Sequence, residues 1–161
     1  MERIFLGLGS NLGDRRANLL EATAQIAARV GGIHAVSNLY ETQAWGIQDQ
    51  PDFLNQALEI RSSLNPEALL DEILKIEQDM GRERRIKWGE RLIDIDILFY
   101  GSRIVQTEKL TIPHPFLHQR NFVLFPLFEI AADWVHPVLR KTVSDLVLFS
   151  EDISFAKVLT E

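Results

Sequence analysis

Two extended runs that lie too close together for a helix to join them constrain this fold most. Ile33–Thr42 alternates as a strand does, and Phe53–Ser62 reads as a second, largely apolar strand. Only the turn-rich loop Gln43–Pro51, with Gly46 and Pro51, lies between them. A parallel crossover needs a dozen or more residues, so the two runs pair antiparallel. Upstream, Arg3–Leu8 is extended and apolar until Gly9-Ser10-Asn11-Leu12-Gly13-Asp14 breaks it. Asp14 is placed to cap a helix over about 15–30, in which Leu19, Leu20, Ala24, Ile26 and Ala27 recur at helical spacing. Gly31-Gly32 stops it. Downstream, Asn65 caps and Pro66 opens a second helix with the stripe Leu69, Leu70, Ile73, Leu74, Ile76 and Met80, ending at Gly81. A last strand, Arg91–Tyr100, completes the order β-α-β-β-α-β, a ferredoxin-like α+β sandwich.

Beyond Tyr100 the pattern predicts a hairpin around Gly101–Lys109, a segment Ile112–Phe122, and a helix from near Pro126 through Leu127, Phe128 and Ile130. Residues after about Val135 carry no clear pattern. No repeat, linker or low-complexity tract divides the chain, so residues 1–161 are expected to form one domain with C-terminal additions.

The last strand carries the strongest chemical signal. Residues two apart on a strand share a face, so Asp94 and Asp96 stand side by side, roughly 6–7 Å apart along the backbone. Two like charges that close repel each other unless a cation lies between them. Aspartate is a poor strand former, and hard oxygen ligands on a rigid strand suit Mg2+. Alternation alone also fits the solvent side of a half-buried strand. The preceding segment Arg82–Arg91 holds five basic and two acidic residues, a net of +3 in a chain of net charge −6. Arginine forks match phosphate oxygens. With Gly81 and Gly89 as brackets and Trp88 within, this segment reads as a movable anion-binding loop rather than a plain solvated charge run.

Composition excludes several alternatives. The chain has no cysteine, hence no disulfide, zinc-thiolate site or thiol nucleophile. The acidic total disfavours nucleic acid as a partner. No apolar run approaches the ~20 residues of a membrane span, and Met1-Glu2-Arg3 leads into a strand without a signal-peptide pattern. A cytoplasmic protein is expected. Gly7-x-Gly9-x-x-x-Gly13 lacks dinucleotide-binding spacing, and the two adjacent strands break the parallel repeat such a site needs; a tight strand-to-helix turn explains it better. There is no P-loop. Pro115 keeps His114 and His118 off a common helix face, so a phosphate contact suits His114 better than a metal. His34, His118 and His136 remain unassigned.

Eight segments in order make the chain similar to a known family: Gly9-Ser10-Asn11-Leu12-Gly13, Tyr40-x-Thr42, the run Gln48–Asn55, Ile76-Glu77-x-x-x-Gly81-Arg82, Trp88-Gly89-x-Arg91, Asp94-Ile95-Asp96-Ile97, Pro113-His114-Pro115 and Arg120-x-Phe122. Over nearly its whole length, to about Ala131, the chain resembles the 6-hydroxymethyl-7,8-dihydropterin pyrophosphokinases of folate biosynthesis. The resemblance implies transfer of pyrophosphate from ATP, the co-substrate, to the pterin hydroxymethyl group, leaving AMP. It implies two Mg2+ ions on Asp94 and Asp96, with Arg82 and Arg91 contacting the phosphates or the transition state. Trp88 would seal the loop over ATP. Glu77, Lys109, His114 and Arg120 fall at ATP-site positions, and Ile97 and Thr111 would line the adenine pocket largely through backbone groups. Phe53 and Phe122 would sandwich the pterin ring, while Asn55 and Thr42 hydrogen-bond its amino-pyrimidine edge. The expected partners are these two small substrates, with no nucleic acid and no membrane, and the expected state is a monomer.

The chain departs from the family at Gln43, where proline is frequent, at Trp45, and at Phe53, where tyrosine also occurs. Arg84, Arg85 and Lys87 have no assigned role. Two rival classes remain at this stage. A ferredoxin-like RNA-binding module would need a basic surface, and a nucleotidyl transferase or cyclase with the same two carboxylates would release pyrophosphate.

Overall fold

Asp14 and Asn65 cap the first two helices, accepting the backbone N–H of Ala17 at 3.1 Å and of Ala68 at 2.8 Å. In the computed structural model, which describes residues 1–42, 51–81, 92–154 and 156–159, the elements begin β1 (Glu2–Ser10), α1 (Arg15–Arg29), β2 (Gly32–Val36), β3 (Tyr40–Thr42) and β4 (Phe53–Ser62). They continue α2 (Pro66–Asp79), β5 (Asp94–Tyr100), β6 (Val105–Gln106), β7 (Thr111–Ile112), α3 (Asn121–Ala131), α4 (Val143–Leu148) and β8 (Ala156–Val158). A single 3-10 turn, Leu117–Gln119, precedes α3. No helix among the described residues is long and apolar enough to cross a membrane.

The main sheet is antiparallel, in the order β5-β1-β4-β3-β8, and β2 pairs with β4 on the same side as β3. With β2 and β3 taken together, this is the ferredoxin-like order. Ile4, Leu6 and Leu8 of β1 and Leu54, Leu58 and Ile60 of β4 face Leu19 and Ile26 of α1 and Leu69, Ile73 and Ile76 of α2. Each such side chain, fully buried, contributes about 1.5–3 kcal/mol. The opposite face carries a second core, in which Phe5, Leu98 and Phe99 meet Leu117, Val123, Leu127 and Val143. Beside it the Glu59 carboxylate is gripped by Arg3 at 2.8 and 3.1 Å and by Arg61 at 2.9 Å. The Arg3 guanidinium also lies 4.6 Å from the centre of the Trp134 ring.

A bulge separates the two halves of β5. Leu6 pairs with Ile97 and Phe5 with Phe99, so Leu98 is the extra residue. Leu98 and Phe99 can therefore both enter the second core. Asp94 and Asp96, four and two residues before Leu98, share that face, opposite α1 and α2.

Several boundaries differ from the sequence pattern. The first strand does not break at Gly9 but runs through Ser10, so Gly7 and Gly9 are strand residues, and the turn falls at Gly13, with φ +69°. The extended run 33–42 divides because Ser37 turns both its backbone and its hydroxyl to β4: its N–H donates to Ala57 O at 2.9 Å, and its Oγ accepts from Ala57 N at 2.9 Å. The hairpin after Tyr100 forms farther on, between β6 and β7. Leu20 and Leu74 lie outside the apolar stripes, being 74% and 45% exposed, and Ala22 fills the buried position on α1. α3 begins at Asn121, five residues before Pro126, which lies inside it. Gly31 is fixed by close approach, since a Cβ there would lie 2.0 Å from the Arg61 carbonyl oxygen.

Candidate functional site

The C-terminal half of β1 has no side chains on the second face, where Gly7 and Gly9 stand. Gly7 stands opposite Asp96 and Gly9 opposite Asp94 on β5, while on the other flank Gly7 pairs with Ala57 and Gly9 with Asn55 of β4. A Cβ at Gly9 would lie 2.8 Å from Asn55 Nδ2 and 3.4 Å from Phe53 Cδ1. The result is a trough with a backbone floor, a carboxylate wall and a wall of Phe53 and Asn55. The sequence pattern places these glycines in a turn; the structure places both within β1. Their two-residue spacing, the same as that of the aspartates, was the available signal.

Thr42 and Asn55 are joined across β3 and β4. The Thr42 hydroxyl donates to Asn55 Oδ1 at 2.5 Å, and Asn55 Nδ2 donates weakly to Leu8 O at 3.5 Å. Both side chains are buried. Backbone next to them is pinned from α1 and the preceding loop: Asn11 donates to Pro51 O at 3.0 Å and Arg15 to Asp52 O at 2.9 Å.

Arg120 and Phe122, at the start of α3, bring the remaining groups together. The Arg120 guanidinium lies 5.6 Å from the Phe122 ring centre and 4.9 Å from that of Phe116. Burial pushes its pKa down, while the nearby Asp96 carboxylate opposes that shift. An arginine remains charged under such pressure. Arg120 thus links the aromatic end of the trough to the acidic one.

A cleft of about 260 Å³ runs along the outer edge of β5, lined by Asp96, Ile97, Lys109, Thr111 and His114, with Leu70 of α2 among the others. β5 is the edge strand, so its outward backbone groups need other partners. Ile95 N–H donates to the Glu77 carboxylate at 2.8 Å, and Leu98 O accepts His114 N–H at 3.1 Å. Backbone groups two residues apart point the same way, which turns the Ile97 N–H toward the cleft. Burial, then the charge of Arg120, push the His114 imidazole down to about 4, so it is neutral near pH 7. Its Nδ1 accepts the Phe116 N–H at 3.3 Å, leaving the ring proton on Nε2. His114 is therefore a neutral donor.

Arg82, Trp88 and Arg91, with Arg84, Arg85, Lys87, Gln43 and Trp45, lie outside the described residues. Asp94, Asp96, Ile97, Lys109, Thr111, His114 and Arg120 gather around the β5 edge, and Phe53 and Asn55, with Thr42 bonded to Asn55, around Gly9; Phe122 lies beside Arg120 at the start of α3. Among the described residues, no cluster of three or more acidic or histidine side chains is arranged to hold a metal. A pair of carboxylates fits Mg2+, which takes one or two and completes its shell with water and substrate phosphate oxygens.

The model of one protein family, described as 7,8-dihydro-6-hydroxymethylpterin-pyrophosphokinase (HPPK), matches residues 5–132. A 2-amino-4-hydroxy-6-hydroxymethyldihydropteridine pyrophosphokinase of Aquifex aeolicus is 43% identical over 145 residues, 90% of each chain. A protein of the same name from Methylorubrum extorquens is 48% identical over 136 residues, 84% of this chain and 86% of that one. Among solved structures, the HPPK-DHPS protein of Plasmodium falciparum superposes with a TM-score of 0.72 at 18% identity, covering 90% of this chain and 44% of that one. That likeness supports the fold.

Proposed function

The chain belongs to the 7,8-dihydro-6-hydroxymethylpterin-pyrophosphokinase family, and from that premise we propose how its own residues divide the work. The reaction is the transfer of pyrophosphate from ATP to the hydroxyl of 6-hydroxymethyl-7,8-dihydropterin, giving AMP and the pterin diphosphate in folate biosynthesis. The observation that carries the reading is the pair of strand glycines, Gly7 and Gly9, with two carboxylates on one side and Asn55 on the other. A flat heterocycle needs such a floor, and its reacting hydroxymethyl arm then lies toward the acid pair.

Asn55 and Thr42 read the amino-pyrimidine edge. Their mutual bond orients the Asn55 amide before substrate arrives, which lowers the ordering cost of binding. Phe53 and Phe122 stack on the ring faces. Asp94 and Asp96 hold two Mg2+ ions with the triphosphate. Ions held there would supply charge neutralisation for the phosphates during transfer.

The cleft beside β5 takes the nucleotide. The outward backbone of Ile97 and that of Thr111 face the adenine, with Leu70 among the lining side chains. His114 donates from Nε2 without adding charge, and Lys109 and Arg120 supply positive charge to the phosphates. Glu77 serves this site by fixing the edge of β5. From the basic segment, Arg82 and Arg91 contact the phosphates and the transition state, and Trp88 excludes water that would hydrolyse ATP. The chain works as one domain over 1–161, a cytoplasmic monomer that needs neither nucleic acid nor membrane.

The decisive test incubates the protein with ATP, Mg2+ and 6-hydroxymethyl-7,8-dihydropterin and follows the nucleotide product. AMP with a pterin that has gained a diphosphate is expected. Released pyrophosphate with a nucleotidylated pterin would overturn the assignment.

A further inference from the structure

The family match ends at residue 132, yet the chain beyond it returns to the pterin end of the trough at two places. β8 lies antiparallel to β3, with Ala156 opposite Thr42. Just before it, Asp152 meets the first residue of α3. One of its carboxylate oxygens accepts the Asn121 N–H at 2.7 Å, and the other accepts the Ser154 N–H at 2.8 Å and the Ser154 hydroxyl at 2.6 Å. Asn121 answers with its own side chain, donating to the carbonyls of Asp152 at 2.8 Å and Ser154 at 3.2 Å and accepting the Ser150 hydroxyl at 3.0 Å.

The place of this clasp gives it meaning. Asn121 is buried and stands in sequence between Arg120, whose charge acts on Asp96, and Phe122, the residue read above as stacking on the pterin. The residue preceding the helix, Arg120, makes no side-chain cap bond, so a carboxylate 31 positions away supplies the cap. A second tie fixes the same helix to the pterin-edge strand: Glu129 accepts the Tyr40 hydroxyl at 2.8 Å and the Asn38 N–H at 3.0 Å. α3, with Phe122, and β3, with Thr42, are thereby locked together from outside the trough.

Resting on the reading above that Phe122 stacks on the pterin, we infer that Asp152 is a positioning residue for pterin binding. By capping α3 it holds the Phe122 ring at its stacking distance from the glycine floor. Loss of the cap lets the first turn of α3 shift. Misplacement on the ångström scale is enough to cost an order of magnitude or more.

Steady-state kinetics on a set of variants tests this. Asp152→Ala is expected to raise the pterin KM about tenfold, and to raise the ATP KM much less. In a Phe122→Ala background the same change should add less than about twofold, because the group it positions is gone. Ser154→Ala removes one hydroxyl bond and carries the test if Asp152→Ala fails to fold; it should raise the pterin KM about threefold. An unchanged pterin KM in Ser154→Ala and in any folded Asp152→Ala protein would overturn the proposal. So would an Asp152→Ala effect equally large with and without Phe122, since that marks a general loosening. Phe122→Ala with an unchanged pterin KM would instead overturn the stacking reading, and the positioning role with it.

Discussion

The Glu77 carboxylate accepts the backbone N–H of Ile95 at 2.8 Å, tying α2 to the one residue that separates Asp94 from Asp96. β5 is an edge strand, and without this bond a buried N–H would lose its acceptor. Glu77→Ala is expected to cost about 1–3 kcal/mol. For a chain of this size, that lowers the melting temperature by several degrees, at about 2–4 °C per kcal/mol. Glu77→Gln keeps an oxygen acceptor and should recover most of that loss. Thermal unfolding of the two variants decides it: equal melting temperatures would show that the bond does not hold the strand.

The two aspartates themselves should matter for chemistry and little for stability. Asp94 is half-buried and Asp96 exposed, and neither enters an apolar core. Asp94→Ala and Asp96→Ala are each expected to lower turnover by about a thousandfold or more while stability changes by under about 1 kcal/mol. Chelation of Mg2+ should abolish activity in the unaltered protein. Full activity in either variant would sink the two-ion reading.

The aspartate pair was legible because a strand's two-residue repeat places side chains without any knowledge of tertiary structure. The helix caps at Asp14 and Asn65 were legible for a similar reason, since cap and capped N–H lie three residues apart. Illegible features depend on partners far along the chain. Pro126 looked like a helix start, but α3 begins at Asn121 because Asp152 supplies the missing acceptor. The split of the 33–42 run depends on Ala57 accepting and donating at Ser37. Thr142 and Asp145 form a capping box that opens α4, a local signal contained within four residues of sequence. β8 has three residues, too few for any periodicity to show.

The glycine floor makes a contrasting pair of predictions. A Cβ at Gly9 lies 2.8 Å from Asn55 Nδ2, so Asn55 must move and its bond to Thr42 must bend or break. Gly9→Ala is expected to raise the pterin KM more than about tenfold and to leave the ATP KM within about twofold. At Gly7 the nearest atoms are 3.4 Å away on the Leu98 side chain, an ordinary van der Waals contact. Gly7→Ala should raise the pterin KM by no more than about threefold. If both variants bind pterin as the unaltered protein does, the trough is not where the ring lies.

Two histidines held neutral give the protein a stability that depends on pH in a defined window. His136 is 5% exposed. Its Nδ1 accepts the N–H groups of Val138 at 3.2 Å and Leu139 at 3.0 Å. Burial, then the charge of His118, push the pKa of His136 down to about 4, and His114 is likewise held at about 4 by burial and Arg120. In the unfolded chain both titrate near about 6.5. Between those values the unfolded state binds protons that the folded state refuses. Stability is therefore complete above about 6.5 and falls as pH drops toward 4, by up to about 1.4 kcal/mol per pH unit for each histidine. Glu59 and Asp152, both held below the ordinary carboxylate range, lose their contributions only below about pH 4.5, where unfolded carboxylates take up protons. Urea unfolding at pH 7, 6 and 5 thus isolates the imidazoles. His136→Asn offers its Oδ1 to the same two N–H groups and removes one titration. Between pH 7 and 5 the variant should lose about 2 kcal/mol less stability than the unaltered protein. Equal losses would show that His136 is not kept neutral by the fold.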